Sequence, residues 1–267
     1  MTALKAKSSK LKARPKVLVF AGYGLNCEEE TKFAFDYVGA EADIVHINDL
    51  IENPKLFAKY QIAAVPGGFA YGDDLGSGRA YGLKLKNHLG KELEKFLERD
   101  TLMIGICNGF QVLTASGILP GALLENSSNR YLDRWVDLKV TGKSPWLKGI
   151  KKLSIPIAHG EGRYFMQPKE LAKLKKEGRI ALKYEKGEMA KLLNLPGNPN
   201  GAIADIAGIT GYNGRVLGLM PHPERGMFFT QRPDWTNIRE KLLRAGKPIP
   251  TEAVGIEIFR NAVKYFV

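Results

Sequence analysis

The stretch Thr101–Thr114, TLMIGICNGFQVLT, determines how the rest of the chain can be arranged. It opens with the apolar run Leu102–Ile104, which predicts a short buried strand. A Gly-x-Cys-x-Gly pentad follows at Gly105–Gly109, and the apolar residues after it predict a buried helix. A strand, a tight turn between two glycines and a helix are the context of a nucleophile elbow, in which a strained backbone exposes a reactive side chain. Cys107 is therefore the candidate nucleophile.

The elbow would place Cys107 at the N-terminus of a helix, where free N–H groups and the helix dipole stabilise a thiolate. A cysteine in an apolar segment is more often a small buried hydrophobe, but the flanking glycines and the change from strand to helix favour the reactive interpretation. A thiol nucleophile also needs a base, so a histidine must come from elsewhere in the chain.

The elements around the elbow predict an α/β fold. Strands and helices alternate through the first half of the chain, which indicates one domain, residues 16–267, with a mostly parallel sheet flanked by helices on both faces. The predicted strands are Lys16–Ala21, Ala42–Ile47, Ile62–Val65, Leu102–Ile104, Trp135–Val140, Leu153–Ile157, Ala202–Ile206 and Val216–Met220. The predicted helices are one from Glu28 with Asn26 as its cap, Leu83–Glu98, the elbow helix, Glu170–Glu177 and Glu252–Phe266.

Two glycine-rich loops follow predicted strands. The first, Gly22–Cys27, has cysteine where a dinucleotide-binding loop needs its last glycine, so we do not expect a dinucleotide there. Cys27 is interpreted as packed rather than reactive. The second loop, 66–82, begins Pro-Gly-Gly at a strand end, where the backbone N–H groups can face a ligand. Gly67 and Gly68 are candidates for an oxyanion hole that the N–H of Asn108 completes.

Composition limits the function classes. The chain is 44% apolar and 25% charged, as in ordinary globular proteins. It contains no apolar run as long as a membrane span, and its first residues lack the apolar core of a secretory signal. Two cysteines provide neither a disulfide framework nor a Cys-x-x-Cys metal site, and no metal is expected. A working thiolate suits a reducing compartment, so we expect a cytoplasmic protein.

The net charge of +12 is partly local. Six basic residues lie within the first 16 positions, which contain no acid, so six excess charges remain for the other 251 residues. We interpret residues 1–15 as a solvated, disordered arm. No nucleic-acid-binding motif accompanies the charge, and nucleic acid is therefore not an expected partner.

The candidate base lies in Pro221–Arg225, PHPER, directly after the strand Val216–Met220. The prolines on either side of His222 favour an extended chain, in which residues i and i+2 point to the same side. Glu224 would then lie beside His222, orient its imidazole and stabilise its charged form. Cys107, His222 and Glu224 thus form a candidate catalytic triad, since triads are defined by geometry and not by chain order.

These motifs resemble a known family. Gly105–Gln111, Met220–Arg225 and Pro66–Phe69 are similar to the triad-type, class I glutamine amidotransferases. Within that superfamily, four further stretches closely resemble the glutaminase subunit of phosphoribosylformylglycinamidine synthase: Asn26–Cys27, Gly68–Asp73, Ala158–Tyr164 and Ala204–Gly208.

The resemblance implies a flavodoxin-like fold and a glutaminase that forms a thioester on Cys107, with Gly68 and Asn108 as oxyanion donors. It places Gly67, Gln111, His159, Gly160 and Glu161 at the glutamine site. It also implies that ammonia passes to an ATP-dependent synthetase subunit, together with a small third subunit, for purine biosynthesis. ATP and Mg²⁺ would bind that partner, because this chain has no phosphate-binding Gly-x-x-x-x-Gly-Lys loop and no cofactor of its own is expected.

Three alternatives remain open from the residues. A glutaminase could serve another acceptor pathway, such as pyridoxal phosphate synthesis. A cysteine peptidase or chaperone of similar topology is a second, although such proteins usually place histidine directly after the cysteine, where this chain has Asn108. A basic nucleic-acid-binding module is the third, and it would depend on residues 1–15.

Overall fold

Strands and helices alternate along the chain in the computed structural model, which describes residues 14–192 and 194–267. Residues 1–13 of the predicted basic arm lie outside the described residues. The strands are β1 (Lys16–Ala21), β2 (Glu41–His46), β3 (Ile62–Val65), β4 (Leu102–Ile106), β5 (Ala122–Leu124), β6 (Leu132–Val140), β7 (Lys152–His159), β8 (Arg163–Phe165), β9 (Ile180–Glu185), β10 (Ile206–Gly211) and β11 (Val216–Leu219). The helices are α1 (Glu28–Tyr37), α2 (Ile47–Glu52), α3 (Arg79–Glu98), α4 (Asn108–Ala115), α5 (Pro168–Lys176), α6 (Glu188–Leu192), α7 (Trp235–Arg244) and α8 (Ile256–Lys264).

One sheet of nine strands carries the fold, in the order β2-β1-β3-β4-β11-β10-β9-β6-β7. The first five of these strands are parallel, as their alternation with helices predicts. The other four extend the sheet with antiparallel pairs, and β10 and β11 form a hairpin. A separate pair, β5 and β8, forms a second small sheet. The carboxyl ends of the five parallel strands therefore meet at one edge, where ligands collect in such sheets.

Helices cover both faces of the parallel strands, as predicted. The crossover through α1 leads from β1 to its neighbour β2, whereas the crossover through α3 leads from β3 in the opposite direction to β4. Because such crossovers are right-handed, α1 and α3 lie on opposite faces. Helix α8 packs beside α1, and α4 packs beside α3. Within residues 14–192 and 194–267, no helix combines the length and apolar character needed to cross a bilayer.

The predicted strand at Ala202–Ile206 is wrong. Residues Ile203–Asp205 form one turn of 3-10 helix, and β10 begins only at Ile206. The reason is local competition from asparagine side chains: Asn198 donates to the carbonyl of Ala202, and Asn200 accepts from its N–H. Backbone groups that are bonded in this way are not free to join a sheet ladder.

The predicted cap of α1 is also wrong. The residue before α1 is Cys27, and the cap position makes no side-chain hydrogen bond. The backbone N–H of Asn26 instead donates to the carbonyl of Gly67, at 3.1 Å. The loop before α1 is thus hydrogen-bonded to the glycine-rich loop after β3.

The elbow between β4 and α4 requires glycine on its helical side. A β-carbon at Gly109 would overlap the carbonyl oxygen of Val65 and lie 2.7 Å from its carbonyl carbon. Helix α4 therefore packs directly against the end of β3, and this close approach holds Cys107 at the edge of the sheet.

Replacing Gly109 with alanine is expected to lower the free energy of unfolding by about 1–3 kcal/mol, because backbone atoms must move to admit a methyl group. Gly90 provides a matched control: it lies within α3 with open space around its α-carbon, so Gly90→Ala should raise stability by about 0.5–1 kcal/mol. Urea denaturation of both variants tests this expectation. Equal effects of the two substitutions would contradict it.

Candidate active site

Cys107 lies at the tip of the elbow, at the carboxyl end of β4. Its φ of 51° and ψ of −108° are unusual for a residue with a side chain, as an elbow predicts. Its N–H donates to the carbonyl of Leu219 at 2.8 Å, which ties it to the end of β11. The residue is 4% exposed, and Sγ is 3.5 Å from the carbonyl oxygen of Ala158.

His222 and Glu224 follow β11, which neighbours β4 in the sheet. The predicted contact is present: Nδ1 of His222 lies 2.5 Å from Oε1 of Glu224, and both residues are at most 2% exposed. The predicted extended conformation is present at His222, whose φ is −102° and ψ is 92°, but it is wrong for the residues that follow, because Pro223–Arg225 form a single turn of 3-10 helix. Proline suits the first position of a helix as well as an extended chain, and here it begins the turn.

The electrostatic setting favours a protonated imidazole. Burial opposes a charge on His222, but the carboxylate of Glu224, together with the Cys107 side chain, raises the pKa of His222 well above its ordinary value. The Cys107 thiol interacts with the ring, although no group of the described residues makes a hydrogen bond of good geometry to Nε2.

The loop after β3 is held beside the imidazole. A β-carbon at Gly67 would lie 2.7 Å from Cε1 of His222, so only glycine fits between the ring and the loop. The carbonyl of Gly67 accepts the N–H groups of Asn26 and Cys27, each at 3.1 Å. Gly68 pairs with Leu25 in an isolated bridge. The loop 22–27 thus fixes the glycine pair that the sequence predicts as part of an oxyanion hole.

The polar side chains of Asn108 and Gln111, in the first turn of α4, make hydrogen bonds within the protein. Asn108 is fully buried and donates from Nδ2 to Oε1 of Gln111 at 2.8 Å. Gln111 in turn donates from Nε2 to the carbonyl of Glu161 at 2.5 Å. The predicted role of Gln111 in glutamine binding stays a prediction, since both ends of its amide have protein partners.

The three residues predicted to bind glutamine at the end of β7 and just after it, His159, Gly160 and Glu161, lie in different environments. The His159 ring is 2% exposed, and its Nδ1 pairs with Oδ1 of Asn126 at 3.0 Å, so the ring is closed off from solvent. Gly160 and Glu161 line a cavity of about 260 Å³ with Tyr131. The part of all three predicted residues in glutamine binding stays a prediction.

The environment of His159 makes stability depend on pH. Burial, with the charge of His222 nearby, lowers the pKa of His159 to about 3 from an ordinary 6.5. The folded protein keeps this ring neutral, whereas the unfolded chain takes up a proton near pH 6.5. The unfolded state therefore binds more protons between these pH values, and stability is lost as the pH falls below about 6.5.

We expect this histidine to account for about 2–3 kcal/mol of the free energy of unfolding lost between pH 6.5 and pH 4.5. Urea denaturation of His159→Gln across this range should therefore show a flatter dependence on pH than the unsubstituted protein. His88 lies exposed on α3, so His88→Gln is the matched control and should leave the slope unchanged. Identical slopes in all three proteins would contradict the assignment.

Two neighbours of the His222–Glu224 pair were missed by the sequence reasoning. Arg225 donates from Nη2 to Sγ of Cys27 at 2.9 Å, and Cys27 also contacts the His222 side chain. Burial raises the pKa of Cys27, and the opposing effect of His222 is smaller. The raised pKa keeps this thiol protonated. The position of Arg225 beside Glu224 was a usable signal, whereas nothing in the sequence around Cys27 indicated a contact 198 residues away.

Cys27, His222 and Glu224 also bring donor atoms within 4.8 Å of one another, a spacing that could hold a metal ion. The pair formed by His222 and Glu224 does not fit that use, because its two donor atoms are already bonded to each other. A groove of about 870 Å³ lies at the opposite end of the sheet, between residues 141–143, 176–179 and 210–214, and contains none of the predicted site residues.

Two aromatic side chains stand near the elbow. Phe69 and Tyr131 are 44% and 52% exposed, and their ring centroids are 6.1 Å apart. Partial burial, together with the charge of Cys107, raises the pKa of Tyr131. The rings therefore mark the open side of the site.

A cysteine at the elbow after β4, with a His–Glu pair after the neighbouring β11, is the arrangement of the triad-type glutamine amidotransferases. The family model of the CobB/CobQ-like glutamine amidotransferase domain matches residues 14–266. The chain belongs to this family and, within it, to the group of the phosphoribosylformylglycinamidine synthase subunits called PurQ.

Similar proteins cover almost the whole chain. The PurQ subunit of Methanococcus maripaludis strain C7 is 46% identical over 96% of this chain and 99% of its own length. The PurQ subunit of Dehalococcoides mccartyi is 40% identical over 95% of this chain and 98% of its own. A chain in the solved structure of PurLQS from Thermotoga maritima superimposes with a TM-score of 0.71 at 30% identity, covering 95% of this chain and all of that one. The predicted family and fold are thereby confirmed.

Proposed function

We propose that this chain is the glutaminase subunit of a phosphoribosylformylglycinamidine synthase. It hydrolyses L-glutamine through a thioester on Cys107 and supplies ammonia to a synthetase that converts formylglycinamide ribonucleotide into the amidine. The observation that carries the proposal is the meeting of the elbow cysteine with the buried His222–Glu224 pair at one edge of the sheet. The near full-length similarity to PurQ subunits supports the choice of acceptor.

The first half-reaction forms the thioester. The Cys107 thiolate attacks the side-chain carboxamide carbon of glutamine, and the carbonyl oxygen takes up negative charge. The backbone N–H groups of Gly68 and Asn108 hold that oxygen, and each such donor is worth roughly 3–4 kcal/mol of transition-state stabilisation. The carbon–nitrogen bond then breaks, and His222 gives its proton to the departing ammonia.

The second half-reaction returns the free enzyme. His222, now neutral, accepts a proton from water as the water attacks the thioester carbon. The carbon–sulfur bond breaks, glutamate leaves, and the thiolate and imidazolium are restored. Glu224 keeps Nδ1 of the ring hydrogen-bonded, which leaves Nε2 to exchange the proton.

The partner supplies the nucleotide chemistry. The Thermotoga maritima relative was solved as PurLQS, which supports a synthetase subunit and a small third subunit as partners of this chain. ATP and Mg²⁺ would bind the synthetase, and this chain would act in the cytoplasm. The exposed Phe69 and Tyr131 lie where such a partner could cover the site.

Reconstitution with the synthetase and small subunits of the same organism tests the proposal. Amidine formation from glutamine should require this chain, whereas amidine formation from ammonium salts should proceed without it. If the chain hydrolyses glutamine but forms no complex with this synthetase, a different acceptor pathway is indicated. Cleavage of a generic peptide without glutamine hydrolysis in the complex would overturn the proposal in favour of a peptidase.

A further inference from the structure

We infer that the side-chain amide of Asn108 is a positioning group that sets the distance between the two donor-bearing segments of the oxyanion hole. The inference rests on the proposed function, but it concerns a different part of Asn108. The proposed oxyanion donor is the backbone N–H of this residue, which any amino acid except proline would provide. A fully buried amide immediately after the nucleophile therefore needs a separate explanation.

The amide is fully bonded, and its bonds define its orientation. Oδ1 accepts the backbone N–H of Ala70 at 3.0 Å. Nδ2 donates to Oε1 of Gln111 at 2.8 Å and to Oδ1 of Asp73 at 3.3 Å. Rotating the amide by half a turn would set donor against donor and acceptor against acceptor, so this arrangement is the only one that satisfies all three partners.

Helix capping does not explain the amide. Asn108 is the first residue of α4, and the cap position before it makes no side-chain hydrogen bond. The three partners of the amide are the side chains of Gln111 and Asp73 and the backbone of Ala70, so none of its bonds satisfies a free N–H of α4. The amide instead reaches across to the loop after β3.

The loop after β3 has a strained backbone, so contacts with other parts of the chain must stabilise its conformation near the elbow. Tyr71 and Asp73 have φ values of 56° and 58°, which are strained for residues with side chains. The loop 22–27 holds its outer side, where the N–H of Phe69 donates to Gly24 at 2.8 Å. Ala70 lies two residues after Gly68, and the hydrogen bond from its N–H to Asn108 joins the same loop to the start of α4, directly after Cys107.

The connection continues to the third segment of the site. Gln111, which accepts from Asn108, donates to the carbonyl of Glu161. The Glu161 carboxylate accepts the N–H of Ser77 at 3.1 Å, and Ser77 belongs to the loop between β3 and α3, so the connection returns to that loop. One amide thus links the glycine loop, the elbow helix and the segment after β7, and its loss should displace the donors at Gly68 and Asn108 relative to each other.

The test compares Asn108→Ala and Asn108→Asp in the reconstituted complex. Both keep the backbone donor at this position. Asn108→Ala should lower kcat for glutamine hydrolysis about 10–100-fold, because the donors no longer face the oxyanion together. Asn108→Asp should fall at least as far, since its carboxylate would face Asp73. Ser116→Ala, a buried polar substitution at the far end of α4, is the control and should stay within about twofold of the unsubstituted protein.

A rescue and a second readout separate positioning from general damage. Adding Asp73→Asn to Asn108→Asp reverses the donor and acceptor at that contact. The double variant should therefore have a kcat about tenfold higher than that of Asn108→Asp alone. Alkylation of Cys107 by iodoacetamide needs no oxyanion hole, so its rate and pH profile should be unchanged in Asn108→Ala.

Three outcomes decide between the explanations. Wild-type kcat in Asn108→Ala, with glutamine hydrolysis intact in the parent complex, would overturn this inference alone. Equal losses of turnover and alkylation, with no rescue by Asp73→Asn, would also overturn it and indicate a purely structural role. Absence of glutamine hydrolysis in the parent complex would instead overturn the proposed function.

Discussion

Replacing Cys107 with alanine is expected to reduce glutamine hydrolysis by the complex by at least about 10⁴-fold, because no other group can form the thioester. The oxyanion donors and the substrate site would remain, so only the weak catalysis by bound water should persist. Release of glutamate is the measurement, and ammonium-dependent amidine formation by the same complex should be unaffected.

The matched control for this substitution is Cys27→Ala. Cys27 is 1% exposed and bonded to Arg225, and burial keeps its thiol protonated. Its loss should therefore leave most of the turnover in place. A Cys107→Ala protein with more than one per cent of the parent activity, or a Cys27→Ala protein as inactive as Cys107→Ala is predicted to be, would refute the assignment of the nucleophile.

Replacing Glu224 with glutamine is expected to lower kcat by roughly 10²–10⁴-fold and to change its pH dependence. Burial alone would lower the pKa of His222, and the carboxylate of Glu224 is the main group that raises it. Without that charge the ring becomes neutral near neutral pH and has no proton for the departing ammonia. The activity that remains should therefore shift toward lower pH, where the imidazolium is restored.

The pH profile of kcat in the complex measures this effect. Glu30 lies 3.5 Å from the Arg225 guanidinium and does not contact His222, so Glu30→Gln is the control and should keep the parent profile. An unchanged alkaline limb in Glu224→Gln would contradict the electrostatic role assigned to the carboxylate. A loss equal to that of Glu30→Gln would contradict it as well.

The sequence predicted the parts of the site that are encoded locally. The elbow follows from an apolar run and two glycines within five positions, and the close packing of Gly109 on Val65 explains the need for the second glycine. The contact between His222 and Glu224 was also predictable, since two positions separate them. It forms although Pro223–Arg225 turn, since the backbone of His222 itself keeps the extended conformation before the turn begins.

The long-range contacts could not be predicted in the same way. The bonds from Asn108 to Ala70 and from Arg225 to Cys27 join residues 38 and 198 positions apart, and a single sequence carries no signal for either pair. The antiparallel half of the sheet was only partly predicted: β9 went unrecognised, because six residues after a charged helix give little periodicity. The strand placed at Ala202–Ile206 failed because asparagine side chains take its backbone groups.

The most direct test of the central claim is covalent labelling by a diazo-ketone analogue of glutamine in the reconstituted complex. The modified residue is then identified by peptide mass spectrometry. We predict one adduct, on Cys107. Glutamine should prevent its formation, and it should be retained in Cys27→Ala and lost in Cys107→Ala. An adduct on Cys27, or labelling that glutamine does not prevent, would contradict the central claim.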